Sequence, residues 1–316
     1  MTEWPQPRIW HLFPRRRNPL GDQAETHVRG WLDRYRLAED PEDLIRLRHS
    51  RLGEAIAWSY PNASREVLEL AADLLLWLLS FDDTHVEKAT SDAAADVASR
   101  VAAFVDVLGH DGNSDGIGHE AALADLVGRA RALLAPGQVA RLLAAVHTTA
   151  LAFLWQRIVR GKRVRLAEYN AMRPFSSLAA PLVVLIEPAA GLDLPDVVRE
   201  DPDVRRVGHA ARTLAGWIND LYSFAYEYDS TGEPPRTLPT LLAERNQCSL
   251  PKGFAEAVRM CEREARTAHA LLVKLAGSGA PQAAVYSQAV RDNIASNEWW
   301  YTSDRYAAAS TVLRPR

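Results

Sequence analysis

At 316 residues, with 47% hydrophobic and 24% charged side chains, the chain can bury a large core and has the composition of an ordinary globular protein, which excludes disulfide miniproteins, collagens and solvating tails. Lys and Arg number 37 against 40 Asp and Glu, a formal net charge of −3, so no positive field exists to hold a nucleic-acid backbone. The two cysteines, Cys248 and Cys261, are too few for a disulfide framework and wrongly spaced for a zinc knuckle, which fits a reducing compartment.

The N-terminal segment 1–20 is irregular, with Pro5, Pro7, Pro14 and the run Arg15, Arg16, Arg17, and offers no apolar stretch for a signal peptide, so cytoplasmic placement is expected. Beyond it, apolar positions recur at helical spacing with almost no strand-like alternation. Helices are predicted over 22–37, 41–59, 64–88, 91–109, 118–133, 136–160, 166–188, 203–228, 236–245, 251–276 and 279–308. Breaks fall at Tyr60-Pro61-Asn62, Pro136-Gly137, Gly161, Gly191 to Pro195, Gly232 to Pro235 and Gly277 to Pro281. Val183 to Ile186 is the best strand candidate, although the same stretch also reads as a buried helix. The most apolar run, Leu68 to Phe81, is shorter than the roughly 20 residues of a spanning helix and carries Glu69 and Asp73, so no membrane span is expected. No repeat and no long linker divides the chain. One all-α domain over 21–316, with central helices ringed by others, is the expected architecture.

Three motif matches carry little. Asp111 to Gly116 begins like a calcium loop, but its twelfth position, where a bidentate Glu is needed, is Ala122. His119-Glu120 lacks the second His of a zinc-protease helix, and no phosphate-cradling Gly-rich loop occurs. Arg157, Arg160, Lys162, Arg163 and Arg165 form the one basic cluster, read first as exposed helix ends and second as phosphate-facing.

The apolar helix containing Leu74 to Leu79 closes on Phe81-Asp82-Asp83-Thr84-His85-Val86-Glu87. Asp83 and Glu87 stand four apart on one face, and Asp82 is displaced by about 100°, so the three carboxylates can converge on a cation beside the helix end. Acids this close repel unless a positive charge sits among them, and carboxylate-only ligands suit Mg²⁺. A solvated acidic helix end is the competing reading.

A second pattern weighs against that reading. Asn219, Ser223 and Glu227 occur at i, i+4 and i+8 in Trp217-Ile218-Asn219-Asp220-Leu221-Tyr222-Ser223-Phe224-Ala225-Tyr226-Glu227. They drift only about 80° in total, making a ladder of oxygen ligands along one helix face. The flanking residues Leu214, Trp217, Ile218, Leu221, Tyr222 and Phe224 are apolar, and polar oxygens in such a helix need a partner.

With both motifs in one chain, the sequence resembles a bacterial class I terpene synthase, in which an aspartate-rich motif and an Asn-Asp-x-x-Ser-x-x-x-Glu motif face one another across a helical barrel. The resemblance runs from Phe13-Pro14 and Trp31 to Arg305-Tyr306. It implies a single barrel with a central site, Mg²⁺ as cofactor (three ions, with Mn²⁺ as the alternative), and an isoprenyl diphosphate substrate that is ionised and cyclised. Farnesyl diphosphate comes first by resemblance, then geranylgeranyl or geranyl diphosphate. The implied metal ligands are Asp82, Asp83, Glu87, Asn219, Ser223 and Glu227, with Asp220 holding the ladder in place. Arg173, forty-six positions before Asn219, stands where the family has its diphosphate-sensing arginine, and Arg305 and Tyr306 resemble the C-terminal Arg-Tyr pair that contacts diphosphate. Phe81, Trp77, Phe175, Tyr222 and Trp299 are candidate cavity rings, Ser176 and Ser177 occupy by resemblance the linker and effector positions, where the Ser177 carbonyl helps set the first fate of the cation, and segment 1–20 is expected to fold over the site. Family members often form homodimers.

Two departures stand out. The acid motif ends on Glu87 five positions after Asp82, where an Asp four positions after is commoner, and Asp83 is an alternative partner for Arg173. Tyr226 replaces the Lys or Arg usual before Glu227. A chain-elongating prenyl diphosphate synthase shares the fold and the metal chemistry, but the Asn-Ser-Glu ladder argues against it. A non-catalytic helical scaffold is the remaining alternative.

Overall fold

A computed structural model of the chain describes residues 4–38, 40–87, 94–110, 115–231 and 234–302. The 3.6-residue periodicity is realised as helices throughout, and the described residues contain no strand. After a short 3-10 turn at Trp10–Leu12 come α1 (Gly21–Tyr35), α2 (Pro41–His49), α3 (Leu52–Ser59) and α4 (Arg65–Phe81), which ends in a turn of π-helix at Asp82–Glu87. Next are α5 (Ala94–Gly109), α6 (His119–Leu133), α7 (Pro136–Val159), α8 (Leu166–Ser176), α9 (Ala179–Val184), α10 (Ile186–Ala189) and α11 (Asp196–Arg199). The chain then forms α12 (Pro202–Tyr222), α13 (Phe224–Thr231), α14 (Leu238–Arg245), α15 (Leu250–Ala276) and α16 (Pro281–Thr302).

Several expected long helices are subdivided, each for a local reason. The span 41–59 breaks at Ser50 and Arg51, where Arg51 takes a left-handed conformation (φ 51°). The span 166–188 becomes three helices, because Pro181 has no N–H to give the Ser177 carbonyl and Pro188 none to give Val184, and Leu178 between them turns left-handed (φ 63°). Val183 to Ile186 is therefore helical, not a strand. The calcium-like stretch 111–114 lies outside the described residues.

The chain divides into two compact units. One comprises Arg16–Lys162 with Leu178–Asp193; the other comprises the chain up to Arg15, Arg163–Ser177 and the residues from Leu194 onward. In the first unit α4 is the central element: from Val67 to Phe81 every residue but one is buried, and its start is capped by the Ser64 hydroxyl, which accepts from Val67 N. Burying side chains such as Leu74, Leu76 and Leu78 contributes about 1.5–3 kcal/mol apiece. Helix α7 is the one described helix long and apolar enough to cross a membrane. Its inward face, Leu142, Val146, Ala150 and Phe153, is buried against α5 and α9, as in a core helix. In the second unit α12, α15 and α16 pack on one another, with α14 and α8 beside them.

One buried polar group in the first unit gives a stability prediction. His119 is buried, its Nε2 stands 3.1 Å from the Ser80 hydroxyl, and burial, aided by His85 and Arg100, pushes its pKa from 6.5 down to about 3. Below pH 6.5 the unfolded chain takes up a proton that the folded chain refuses, so this residue's contribution to stability is lost as pH falls. At pH 5 the loss is about 2 kcal/mol. Denaturant unfolding at pH 7.5 and 5.0 should show the wild type losing that much more than His119→Gln.

Candidate active site

The acid-rich turn belongs to the first unit. Asp82 and Asp83 are buried at the end of α4, where the Asp82 N–H donates to the carbonyls of Leu78 and Leu79. Asp83 pairs with Arg46 on α2 (Nη2 to Oδ2, 3.0 Å), and the same guanidinium nitrogen reaches Asp43 Oδ1 at 2.9 Å. Arg46 thus offsets the charge of one member of the cluster. At the far end of the turn, Arg157 Nη1 donates to the Val86 carbonyl (3.1 Å) and Arg160 Nη1 to the Glu87 carbonyl (2.9 Å).

Rings pack behind the turn. Phe81 lies 5.0 Å from both Phe104 and Phe153 and 5.3 Å from His119. Trp77 meets Phe104 edge-on at 4.9 Å, and its indole N–H donates to the His119 carbonyl at 2.9 Å. Trp77, expected as a cavity ring, is thus packed as a core residue, since a buried indole needs an acceptor and finds one between helices. Phe81 is equally buried, among the same rings.

The ladder belongs to the second unit. Ser223 N donates to Asn219 O and Glu227 N to Ser223 O, both at 2.9 Å, so the four-residue stagger survives the junction of α12 and α13. The Ser223 hydroxyl gives its proton to the Asn219 carbonyl at 2.8 Å, which leaves its lone pairs for another partner. Arg173 on α8 bridges two neighbours, with Nη2 at 2.5 Å from Asn219 Oδ1 and 2.7 Å from Asp220 Oδ1. Asp220 is fully buried, accepting from the Tyr169 hydroxyl at 2.6 Å and from Leu238 N at 3.1 Å. Burial alone would lower the Arg173 pKa, but the negative charges of Asp220 and Glu227 outweigh it and hold the guanidinium protonated. Gly216 passes directly beneath this side chain: a Cβ there would stand 2.8 Å from Arg173 Cγ.

The other expected residues of this unit are dispersed along it. Ser176 is buried and Phe175 and Ser177 half-buried at the end of α8, where Ser177 N donates to Arg173 O at 2.9 Å. Tyr222 stacks on Tyr301 at 5.2 Å and accepts from the Trp10 indole at 3.0 Å. Trp299 is half-buried on α16. Arg305, Tyr306 and the Tyr226 side chain lie outside the described residues. The N-terminal segment rests on this unit, with Trp4 packed against Phe224 and Phe254 and Gln6 reaching the Leu221 carbonyl.

Tyr169 and Arg46 are absent from the residues that the sequence singles out, and Arg157 and Arg160 stand there only as members of the basic cluster. Tyr169 carried a usable signal, one helical turn before Arg173, whereas Arg46 carried none. The basic cluster divides: Arg157 and Arg160 serve the acid turn, while Arg163 and Arg165, with Arg245, line a cavity of about 700 Å³ in the second unit.

Among the described residues no three His, Cys, Asp or Glu side chains cluster as a metal site. The donor sets are instead mixed oxygens: carboxylates on the turn, and an amide, a hydroxyl and a carboxylate on the ladder. All are hard ligands, and the Ser223 oxygen has lone pairs to offer, so the residues fit Mg²⁺ rather than zinc or copper.

An all-helical chain presenting these two oxygen-rich motifs and a half-buried arginine beside one of them has the makings of a class I terpenoid synthase. The comparisons with known proteins agree. The family model described as terpene synthase family 2, C-terminal metal binding, matches residues 73–267, and the chain belongs to the terpene synthase family. It is 43% identical over 307 residues to labda-7,13(16),14-triene synthase of Streptomyces clavuligerus, covering 96% of this chain and 89% of that one. It is 35% identical to (12E)-labda-8(17),12,14-triene synthase of Streptomyces anulatus, covering 90% and 89% of the two chains. The fold matches that of 2-methylisoborneol synthase from Streptomyces coelicolor A3(2), solved with Mg²⁺ and 2-fluoroneryl diphosphate, at a TM-score of 0.79, with 20% identity and 93% and 94% coverage. The protein is a class I terpene synthase, a lyase acting on a prenyl diphosphate.

Proposed function

We propose that the substrate is a C20 allylic diphosphate whose two rings are already closed, and that the enzyme converts it to a labdane-type triene and inorganic diphosphate. The observation that carries this is the identity to two labdatriene synthases along nearly the whole chain. A labdane is a C20 skeleton with two fused rings. The conjugated 13(16),14-diene at the end of its side chain is what an allylic cation leaves when it loses a proton without closing another ring. In that sequence the carbon–oxygen bond breaks, the electron pair leaves with the diphosphate, and a proton is lost from the carbon beside the cation. Farnesyl diphosphate, first on resemblance, becomes the second choice.

Asp82 and Glu87 on the turn, and Asn219, Ser223 and Glu227 on the ladder, are proposed to hold Mg²⁺, three ions in all, with Mn²⁺ as a substitute. When bound, the metal supplies Lewis-acid stabilisation of the leaving diphosphate oxygens. Asp83, already paired with Arg46, has the lesser role. Arg173 turns its guanidinium fork from Asn219 to the diphosphate, and Arg305 and Tyr306 add donors. Asp220 and Tyr169 keep Arg173 charged and in place. Phe175, Tyr222 and Trp299 face the cation with rings instead of nucleophiles, and a desolvated cation over such a ring gains about 2 kcal/mol. Because the chain passes four times between the two units, neither is a continuous piece, and the proposed domain from residue 21 onward is expected to unfold in one transition.

The test is kcat/KM for a bicyclic labdanyl diphosphate against farnesyl and geranylgeranyl diphosphates, with products identified by mass spectrometry. The proposal predicts a preference of at least about a hundredfold for the bicyclic substrate, or about 2.7 kcal/mol in transition-state binding. A cyclic C15 product formed at comparable efficiency would return farnesyl diphosphate to first place.

A further inference from the structure

The spacing of the acid motif looks like a misfit in an α-helix. Five residues at about 100° each would turn Glu87 about 140° from Asp82, onto nearly the opposite face. In a π turn the hydrogen bond joins residue i to i+5, so the fifth residue stacks over the first as the fourth does in an α-helix. Residues Asp82–Glu87 form such a turn, and the extra residue is absorbed where it returns Glu87 to the side of Asp82.

A π turn is costlier than an α turn, and here it gathers carboxylates that repel one another, so something must hold it. Helix α7 ends against it. Phe153, one turn before Arg157, packs on Phe81 at 5.0 Å, which fixes α7 beside the last residue of α4. From that base the Arg157 guanidinium reaches the Val86 carbonyl at 3.1 Å and Arg160 reaches the Glu87 carbonyl at 2.9 Å. These are the last two carbonyls of the described turn, the end of a helix where its dipole favours a cation. Arg157 is itself buried, so its charge stands in a medium where the bond counts for more than at the surface.

We propose that Arg157 and Arg160 are positioning residues that clamp Asp82–Glu87 in the π turn, and that this clamp is what allows the five-residue spacing to present Asp82 and Glu87 to the same metal-bound diphosphate. The proposal rests on the reading of the acid turn as a diphosphate-binding motif. Its test separates the two. Hydrogen exchange by mass spectrometry, measured without metal, reads the clamp alone. Calorimetric titration with inorganic diphosphate, at saturating and at limiting Mg²⁺, reads its consequence.

In Arg157→Ala the amides of peptides spanning 82–87 should exchange about tenfold faster or more, and Mg²⁺-dependent diphosphate binding should weaken by a similar factor, the loss of one charge-assisted hydrogen bond. Arg157→Lys, which can still donate to the carbonyl, should recover most of both. Arg160 is exposed and its removal leaves the core intact, so Arg160→Ala keeps the test available should Arg157→Ala fold poorly; it should show the same two changes to a smaller extent, with melting unchanged. Unaltered exchange across 82–87 in Arg160→Ala, or in a folded Arg157→Ala, overturns the clamp. Failure of the wild type to bind diphosphate with Mg²⁺ would instead overturn the reading of the site.

Discussion

Asn219→Ala, Ser223→Ala and Glu227→Ala are each expected to lower kcat by about a thousandfold or more while leaving helical content and melting temperature nearly as they are. The magnitude follows from the metal's share of transition-state stabilisation: several kcal/mol for charge on the leaving oxygens, of which about 4 kcal/mol corresponds to a thousandfold. The small effect on stability follows from geometry. The backbone bonds that carry the helix through Ser223 do not depend on these side chains, the hydroxyl of Ser223 donates to its own helix, and Arg173, which loses the amide oxygen in Asn219→Ala, keeps its pair with Asp220. Glu227 lies at a half-buried position on α13. Circular dichroism and thermal melts beside steady-state kinetics check both halves. Loss of folding in all three would mark the ladder as a structural polar stripe.

The Arg173 cluster should behave in the opposite way when its anion is removed. Asp220 is fully buried and faces a guanidinium that is only 11% exposed, so Asp220→Ala strands a charge that the surroundings solvate poorly, a loss of about 3 kcal/mol. A chemical denaturation midpoint should register it plainly. Arg173→Lys keeps the charge and loses the fork, and is expected to cost about a hundredfold in kcat/KM with only a modest change in stability. Gly216→Ala probes the same placement from below. Alanine favours the helix by about 1 kcal/mol, but its Cβ would stand 2.8 Å from Arg173 Cγ, near the root of a side chain held at its tip by Asp220, so the variant should be less stable than wild type and bind diphosphate more weakly. If Gly216→Ala turns over normally, the placement of Arg173 by its helix is not a requirement of catalysis.

Much of this was readable along the chain, because it depends on residues close in sequence. The i, i+4, i+8 ladder needs only helical periodicity, and it is the feature on which the family resemblance turned. The breaks near Ser177 and Leu185 were also readable in principle: Pro181 and Pro188 each lack the N–H that a continuous helix would require four residues earlier. What periodicity cannot supply is which distant element a face will meet. Arg46 reaches Asp83 and Tyr169 reaches Asp220 across 37 and 51 positions, and neither pairing leaves a local trace. The π turn was hidden for a related reason. Its extra residue is tolerated because of α7, whose arginines looked like an exposed helix end when read by composition alone.

Mg²⁺-dependent ionisation of a prenyl diphosphate by this chain alone underlies every role assigned above. Its most direct test is the stoichiometry of diphosphate release from the bicyclic C20 diphosphate by the purified protein, with Mg²⁺ and with the metal chelated. One diphosphate should be released per hydrocarbon formed with Mg²⁺, and neither product should form without it. Release that persists in chelator, or turnover that requires isopentenyl diphosphate as a second substrate, would contradict it.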